Sequence, residues 1–413
     1  MVARNLMNLI CISLIVTPLF GGVIDVCEGM PYATIMAGLE VVENGDTLRI
    51  HPGVYREGNI SVDKSIFIQG IDFPIIDGEG ENEALTISAD SVRVEGLHIR
   101  NVGTSYTEDL AGIRMRNSRN FVIHNNLLEN TFFGIYLEHV KDGIVSQNRV
   151  FGEAINEMSS GNAIHLWKCA RIQVIDNHVK KHRDGIYFEF VEESVVRKNV
   201  SEDNLRYGLH FMFSNHDDYF ENTFIRNGAG VAVMFSKKIQ MHHNIFQQNW
   251  GNSSYGLLLK EITDATIEHN QFIENSIGIY VEGASRIKYS GNIFSSNGWA
   301  FKISGGCVDM VVSGNNFIGN TFDISINSAI NNNIFSENYW SSYSGYDLDR
   351  DGIGDVPYRP VKLFNYVINQ TPEAIVLLRS LFIDILNFSE RINPTLTPKN
   401  VMDLKPLMHQ IEL

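Results

Sequence analysis

Apolar and polar positions alternate within short segments of this chain, and the segments recur about every 22 residues between positions 112 and 322. In one of them, Ile135 and Leu137 share one face while Tyr136 and Glu138 share the other. A period of two predicts β-strands, and self-similarity at a fixed period is typical of stacked-repeat proteins. The residues that open successive strands are Gly112, Gly134, Ala163, Gly185, Gly208, Gly230, Gly256, Gly278, Ala300 and Phe322. The repeat length suits one coil of three short strands with their turns, so the pattern predicts an all-β protein, a right-handed parallel β-helix.

Asparagine follows the same rhythm and gives a second, independent signal. About eight residues ahead of half of the strand openings, an asparagine begins a short Asn-x-apolar segment. These residues are Asn126, Asn177, Asn222, Asn270 and Asn292. A polar residue that keeps its place from coil to coil supports the prediction of a regular solenoid.

The two ends of the chain depart from the repeat and predict three segments. Arg4 and the apolar run 6–20 indicate a signal peptide over residues 1–24. An amphipathic stretch at 32–42 predicts a helix that caps the first coil of a β-helix domain over residues 25–360. Thr371 and Pro372 then predict a helix start, followed by an apolar stripe. Residues 361–413 are therefore predicted to form a helical tail, which either caps the solenoid or docks on a membrane partner.

Charge and cysteine usage narrow the classes of function. The formal net charge is −15 and there is no basic run, so we expect no nucleic-acid partner and regard the charge as a source of solubility. After removal of the signal, Cys27, Cys169 and Cys307 remain, an odd and scattered set. Such a set predicts neither a disulfide framework nor a structural zinc site.

The strand alternation sorts candidate metal ligands into inward and outward positions. Met212 and Met234 face outward at equivalent positions of adjacent coils, so their thioethers are predicted to lie about one strand spacing, 4.8 Å, apart. His165 and His210 occupy a neighbouring outward position, with Tyr187 between them. Outward thioethers and imidazoles together favour Cu(I) over hard cations. The alternative is that a flat β-helix face simply tolerates these residues.

Two further sets of possible ligands lie elsewhere. His243 and His269 form another adjacent-coil pair, with His242 close by, although paired surface imidazoles are often unliganded. Near the end of the solenoid, the spacing of four aspartates resembles an oxygen-ligand calcium loop: Asp347, Asp349, Asp351 and Asp355. Position 12 of that loop is Tyr358 instead of glutamate, so it is not an EF-hand. We expect a related loop that stiffens the end of the solenoid and binds calcium.

A secreted β-helix that binds carbohydrate, or a polysaccharide lyase or epimerase, is the competing function. A hydrolase needs paired carboxylates on one face. Glu138, Glu189 and Glu282 occupy equivalent outward positions but not in adjacent coils, and only Asp217 and Asp218 in a turn are close enough to pair. No specific catalytic pair emerges, so the sequence predicts that the protein is not an enzyme.

Several segments of the chain resemble the NosD family. The most specific are RYGLHFMFS (206–214) and GVAVMFS (230–236), which repeat Met-Phe-Ser, followed by GLLLKEI (256–262). The segment GYDLDRDGIGDVPY (345–358) is similar to the family as well.

The resemblance implies a periplasmic protein that binds and transfers copper during maturation of nitrous oxide reductase. It also implies four partners: the permease of an ABC transporter, its cytoplasmic ATPase, a membrane-anchored copper chaperone and the apo-reductase. Association with the inner membrane would then run through the permease, which favours the docking role of the helical tail. The resemblance assigns no copper ligands, so Met212, Met234, His210 and His165 remain a choice made from the strand alternation.

Overall fold

Three long parallel sheets, here called A, B and C, form the body of the protein in a computed structural model. The structure describes residues 21–251, 254–327, 332–378, 380–392 and 401–412. Each coil contributes one strand to each sheet, and in the described residues the sheets contain 14, 13 and 12 strands respectively. The prediction of an all-β parallel β-helix is confirmed.

The strands of each sheet are short, and most are three to six residues long. Sheet A contains Val23–Val26, Thr47–Ile50, Phe67–Gly70, Arg93–Glu95, Val122–His124, Lys141–Ser146, Ala170–Ile175, Val195–Arg197, Asp218–Phe220, Gln240–His242, Thr263–Glu268, Ser285–Ser290, Val311–Ser313 and Ile334–Ser336. Sheet B contains Val54–Tyr55, Ile75–Asp77, His98–Arg100, Leu127–Glu129, Arg149–Phe151, His178–Lys180, Val200–Glu202, Thr223–Ile225, Ile245–Gln247, Gln271–Ile273, Ile293–Ser295, Asn316–Ile318 and Tyr339–Trp340. Sheet C contains Ile60–Val62, Leu85–Ile87, Ala111–Arg116, Phe133–Glu138, Asn162–Trp167, Asp184–Glu189, Tyr207–Met212, Ala229–Met234, Leu257–Lys260, Ile277–Glu282, Trp299–Ile303 and Phe322–Ile326.

Like residues stack on like residues inside the coils. Phe246 and Phe272 stack with ring centroids 4.6 Å apart, and the same column continues to Trp340. Asparagines form a second internal column, in which each side-chain oxygen accepts hydrogen bonds from the backbone N–H and side-chain amide of the preceding member. This asparagine ladder consists of Asn126, Asn148, Asn177, Asn199, Asn222, Asn244, Asn270, Asn292, Asn315 and Asn338. Because its members satisfy one another's buried polar groups, the ladder fixes the turn between sheets A and B in the coils from Asn126 to Asn338.

The N-terminal end is capped as expected. Helix α1 (Ile35–Val41) begins after Thr34, whose hydroxyl accepts a hydrogen bond from the Ala37 N–H at 3.1 Å. Ile35 is buried in the same core as the first strands. Most of the predicted signal, residues 1–24, lies outside the described residues, but residues 23 and 24 already belong to the first strand of sheet A.

The C-terminal end differs in part from the predicted helical tail. Helices α2 (Leu363–Gln370) and α3 (Leu381–Ile392) flank a short 3-10 helix (Pro372–Leu377), and Thr371 makes no side-chain cap. Residues 401–412 are not helical, because they return to the solenoid and bridge its last strands. Among the described helices, none combines the length and apolarity required to cross a bilayer.

Candidate functional site

Two methionines lie side by side on the outer face of sheet C. The strands register Met212 directly against Met234, as the spacing predicts, and both side chains are partly exposed. Glu189 precedes this pair in the same column of equivalent positions, and Lys260 follows it. The Tyr187 hydroxyl lies 3.9 Å from the Met212 sulfur. Two thioethers are therefore presented to solvent between an acidic and a basic residue.

The neighbouring column of sheet C is a continuous stack of aromatic and imidazole rings. It consists of Tyr136, His165, Tyr187 and His210, with successive ring centroids 4.4, 4.7 and 5.0 Å apart. The prediction placed His165 and His210 facing outward, and they do point away from the solenoid core. They are nevertheless only 8 % and 5 % exposed. An outward direction therefore does not expose these two imidazoles to solvent.

Aromatic neighbours account for this burial. The Phe133 ring lies 5.5 Å from the His165 ring, and the Tyr207 ring lies 4.8 Å from the His210 ring. Phe133 and Tyr207 are each the first residue of a sheet C strand. A face that strand alternation alone labels as outward is therefore covered by side chains of its own sheet.

The two histidines differ in the hydrogen bonds that they make. The His165 Nδ1 lies 2.9 Å from the Asn162 side-chain amide. Burial, with the charge of Arg183 as a smaller contribution, lowers the pKa of His165 to about 3, so its ring is neutral at neutral pH. Neither ring nitrogen of His210 has a hydrogen-bond partner. A buried imidazole with both nitrogens unused needs an explanation, and ligation of a metal ion is one.

A buried ion pair lies beside His210. Asp184 is fully buried, and Arg206 donates to both of its carboxylate oxygens. The His210 Nδ1 is 3.9 Å from the Asp184 carboxylate, beyond hydrogen-bond distance. Burial alone would raise the pKa of Asp184, but His210 and the Arg206 guanidinium hold it below its usual value. The carboxylate therefore stays ionised, and it favours positive charge around His210.

The structure brings together three of the four residues proposed for copper. Met212 and His210 lie two residues apart on the same face of one strand, and Met234 adjoins Met212. His165 is two coils from His210, which corresponds to about 10 Å at the strand spacing of parallel sheets. Two thioethers and an imidazole form a soft ligand set suited to Cu(I). His165 lies too far along the column to join the other three on one ion.

An exposed row of phenylalanines next to the methionines was not singled out from the sequence. Phe190, Phe213 and Phe235 stack on adjacent coils with centroids 5.2 and 5.1 Å apart, and each is about two-fifths exposed. Phe213 and Phe235 directly follow Met212 and Met234 in the chain. The signal was present in the repeated Met-Phe-Ser, because both phenylalanines occupy the same position of consecutive coils.

In the aspartate loop near the end of the solenoid, three of the four predicted calcium ligands lie close together. One oxygen from each of Asp347, Asp349 and Asp351 lies within 4.8 Å of the others, and repulsion by Asp351 raises the pKa of Asp349. Asp355 instead accepts a hydrogen bond from the Leu348 N–H at 2.8 Å. The calcium site remains a prediction, with three of its four aspartates positioned for it.

The turn carboxylates considered for catalysis differ in their surroundings. Asp217 is fully buried and accepts a hydrogen bond from the Ser194 N–H at 2.8 Å, whereas Asp218 begins a strand of sheet A. Burial raises the pKa of Asp217 well above its ordinary value. Its position indicates a structural role in the turn.

Taken together, the fold and the site define a parallel β-helix protein that presents adjacent thioethers on one sheet. Residues 152–345, which contain both methionines and both histidines, match the model of the family described as periplasmic copper-binding protein (NosD). The chain is 30% identical to the “Probable ABC transporter binding protein NosD” of Pseudomonas aeruginosa, over 85% of this chain and 86% of the relative. It is 29% identical to the protein of the same name from Stutzerimonas stutzeri, over 87% and 86%. The chain belongs to the NosD family.

Solved structures resemble the chain in fold alone. The family 28 exopolygalacturonase of Yersinia enterocolitica aligns with a TM-score of 0.60 at 10% identity, covering 76% of this chain and 78% of the enzyme. The Dettilon tailspike protein aligns with a TM-score of 0.53 at 13% identity, covering 69% and 62%. At these identities the likeness confirms the β-helix and says nothing about activity.

Proposed function

We propose that this protein is the periplasmic copper-binding and transfer subunit of an ABC transporter complex that matures the copper sites of nitrous oxide reductase. The observation that carries the proposal is the register of Met212 against Met234 on an open face, with the unpartnered imidazole of His210 in the same strand. The family description supports copper as the cargo, and the names of the two relatives support an ABC transporter as partner.

The ligand set suits a protein that must release its cargo. Thioethers are neutral and bind Cu(I) without first losing a proton, so exchange with a partner needs no acid or base at the site. The methionines are partly exposed, which leaves the ion accessible from solvent. Their column is flanked by Glu189 and Lys260, whose opposite charges add no net charge at the site.

The helices that follow the solenoid are the proposed contact with the permease. Phe364, Ile368 and Ile383 pack against Phe322 of sheet C, so α2 and α3 are fixed to the β-helix. The other side of α3 exposes a row of large apolar side chains, which are Leu381, Phe382, Ile385, Phe388 and Ile392. An apolar row of this kind on a fixed helix is typical of a protein-docking surface. Docking there would hold the protein at the inner membrane, with the ATPase on the cytoplasmic side of the permease.

In this scheme, copper passes from the membrane-anchored chaperone to the methionine pair and then to the apo-reductase. We expect nitrous oxide reductase from cells that carry Met212→Ala with Met234→Ala to be copper-deficient, while the transporter complex still assembles. Met158, a highly exposed methionine away from the pair, supplies the matched control Met158→Ala. A reductase with its full copper content in the double variant would contradict the assignment of the cargo site.

A further inference from the structure

Two consecutive histidines at the corner between sheets A and B turn their ring nitrogens toward each other. His242 ends a strand of sheet A, and His243 occupies the turn that follows, with φ +58°. The two Nδ1 atoms are 3.2 Å apart, and the ring planes lie at 85° to each other. This corner is separate from the methionine pair, which lies at the end of sheet C strands.

Each ring is held in place by a ring from a neighbouring coil. The Phe220 ring stacks on His242 with centroids 4.9 Å apart and planes within 5° of parallel. The His269 ring stacks on His243 at 5.2 Å and 7°. The turn itself is fixed by the asparagine ladder, because the Asn244 side-chain amide donates to the His242 carbonyl. Both imidazoles are therefore preorganised, which limits the entropy lost when a ligand bridges them.

Several ionisable side chains surround the His242 ring. Burial and the neighbouring His243 lower the pKa of His242, which keeps its imidazole neutral and able to bind a metal near pH 7. The carboxylates of Asp218, Glu268 and Glu221 act in the opposite direction on the same ring. Glu268 pairs with Lys288 at 2.9 Å and Glu221 with Lys198 at 3.7 Å, so neighbouring lysines balance two of these three carboxylates.

We propose that His242 and His243 form a two-imidazole site for a divalent first-row transition ion, with Nδ1 of both rings as ligands. Metal–nitrogen bonds of about 2.0–2.1 Å across a 3.2 Å separation give an N–M–N angle of about 100°. This angle fits four-coordinate geometry, with water completing the shell. Two-coordinate linear binding would require nitrogens about 4 Å apart. Divalent affinities in nitrogen sites peak at copper, so Cu²⁺ is the sharpest probe.

The site is independent of the proposed cargo site, since it uses different ligands on a different corner. His269 stacks on His243 with nearly parallel planes, and we assign it the role of holding that ring instead of binding the ion. When both Nδ1 atoms bind a metal, the remaining ring protons reside on Nε2. That tautomer is visible in the nitrogen chemical shifts of the two imidazoles.

The test is a Cu²⁺ titration of the full-length protein with electron paramagnetic resonance detection, repeated with Zn²⁺ as competitor. We expect His242→Gln and His243→Asn each to weaken the binding of one equivalent at least tenfold. Asparagine suits the positive φ at 243. His124→Gln is the matched control: His124 ends an equivalent strand of sheet A and lies 3.0 Å from the Ser146 hydroxyl. Met212→Ala with Met234→Ala should leave this equivalent unchanged.

Three outcomes overturn the proposal. They are wild-type Cu²⁺ binding by His243→Asn, an equal loss in His124→Gln, and a pulsed spectrum of the wild-type complex that shows fewer than two coordinated imidazoles. The last measurement needs no variant, so misfolding of a variant leaves the proposal testable. A variant that loses Cu²⁺ binding at the two histidines but keeps Cu(I) binding shows that this site is distinct from the proposed cargo site. A variant that keeps Cu²⁺ binding and loses Cu(I) binding shows the same.

Discussion

Asp403 replaces the next asparagine of the asparagine ladder, although it lies far along the chain from the ladder's last member. The strap formed by residues 401–412 carries it to the last coil, where it is fully buried. One carboxylate oxygen accepts from the Asn338 N–H, the Asn338 side-chain amide and the Trp340 indole N–H at 3.0–3.1 Å. The other oxygen accepts from the backbone N–H groups of Glu337 and Lys405. Asp403→Ala removes all five acceptor contacts at once.

The expected cost follows from which donors stay buried. Asn338 and Trp340 are almost completely inaccessible, so the three donors at the first oxygen lose their partner with little compensation from water. An unsatisfied buried donor costs about 1–3 kcal/mol. Glu337 and Lys405 are more exposed, and water can replace the carboxylate there. We therefore expect Asp403→Ala to lower the free energy of unfolding by about 3–5 kcal/mol.

Asp403→Asn is the matched variant, because each ladder asparagine oxygen already accepts from the backbone N–H and side-chain amide of the preceding member, and the Trp340 indole N–H can donate to the same oxygen. Its expected cost is about 1 kcal/mol, from the contacts with Glu337 and Lys405 alone. Urea unfolding followed by circular dichroism measures both values, and hydrogen exchange of the Trp340 indole reports on the strap directly. A loss below about 1 kcal/mol for Asp403→Ala, or equal losses for the two variants, would refute this reasoning.

Three other expectations concern the tail, the aspartate loop and acid stability. Phe382→Ser with Phe388→Ser should leave the fold intact but abolish co-purification with the permease; retention would contradict the docking surface. Millimolar Ca²⁺ should raise the melting temperature of the wild type but not of Asp351→Asn, and an equal rise in both would refute the calcium loop. Burial lowers the pKa of His165 to about 3 and of His182 to about 4, so the unfolded chain takes up protons that the fold excludes. The stabilisation that these two neutral rings contribute should thus be complete above about pH 6.5 and be lost toward pH 4, and His165→Gln should reduce that loss; an unchanged dependence on pH would contradict it.

The sequence predicted the solenoid because its physical cause is local and periodic. Strand alternation and the spacing of residues such as Asn126 and Asn270 repeat in every coil, so each repeat confirms the others. The adjacency of Met212 and Met234 followed from the same period, since equivalent positions of consecutive coils must pair. The longer steps at two coils were visible as irregular spacings, and one of them contains the 3-10 turn Glu157–Ser159.

The features that were missed depend on contacts that a period cannot encode. Alternation assigns His210 to the outer face, but only the packing of Tyr207 over it determines that the ring is buried. The role of Asp403 depends on a return of the chain across more than sixty positions, with no repeat to signal it. Deletion of the whole tail would remove the strap with Asp403 as well as α3, so it would not isolate the docking role of α3. Surface variants of α3 avoid that difficulty.

The most direct test of the central claim is a Cu(I) titration of the purified protein against a competing chelator, under reducing conditions. We expect the wild type to hold one Cu(I) more tightly than Met212→Ala with Met234→Ala by at least tenfold, with identical circular dichroism spectra. His210→Ala should weaken the same equivalent, whereas His165→Gln should not, because His165 lies about 10 Å along the column. Wild-type Cu(I) affinity in the double methionine variant would contradict the claim that sheet C carries the copper.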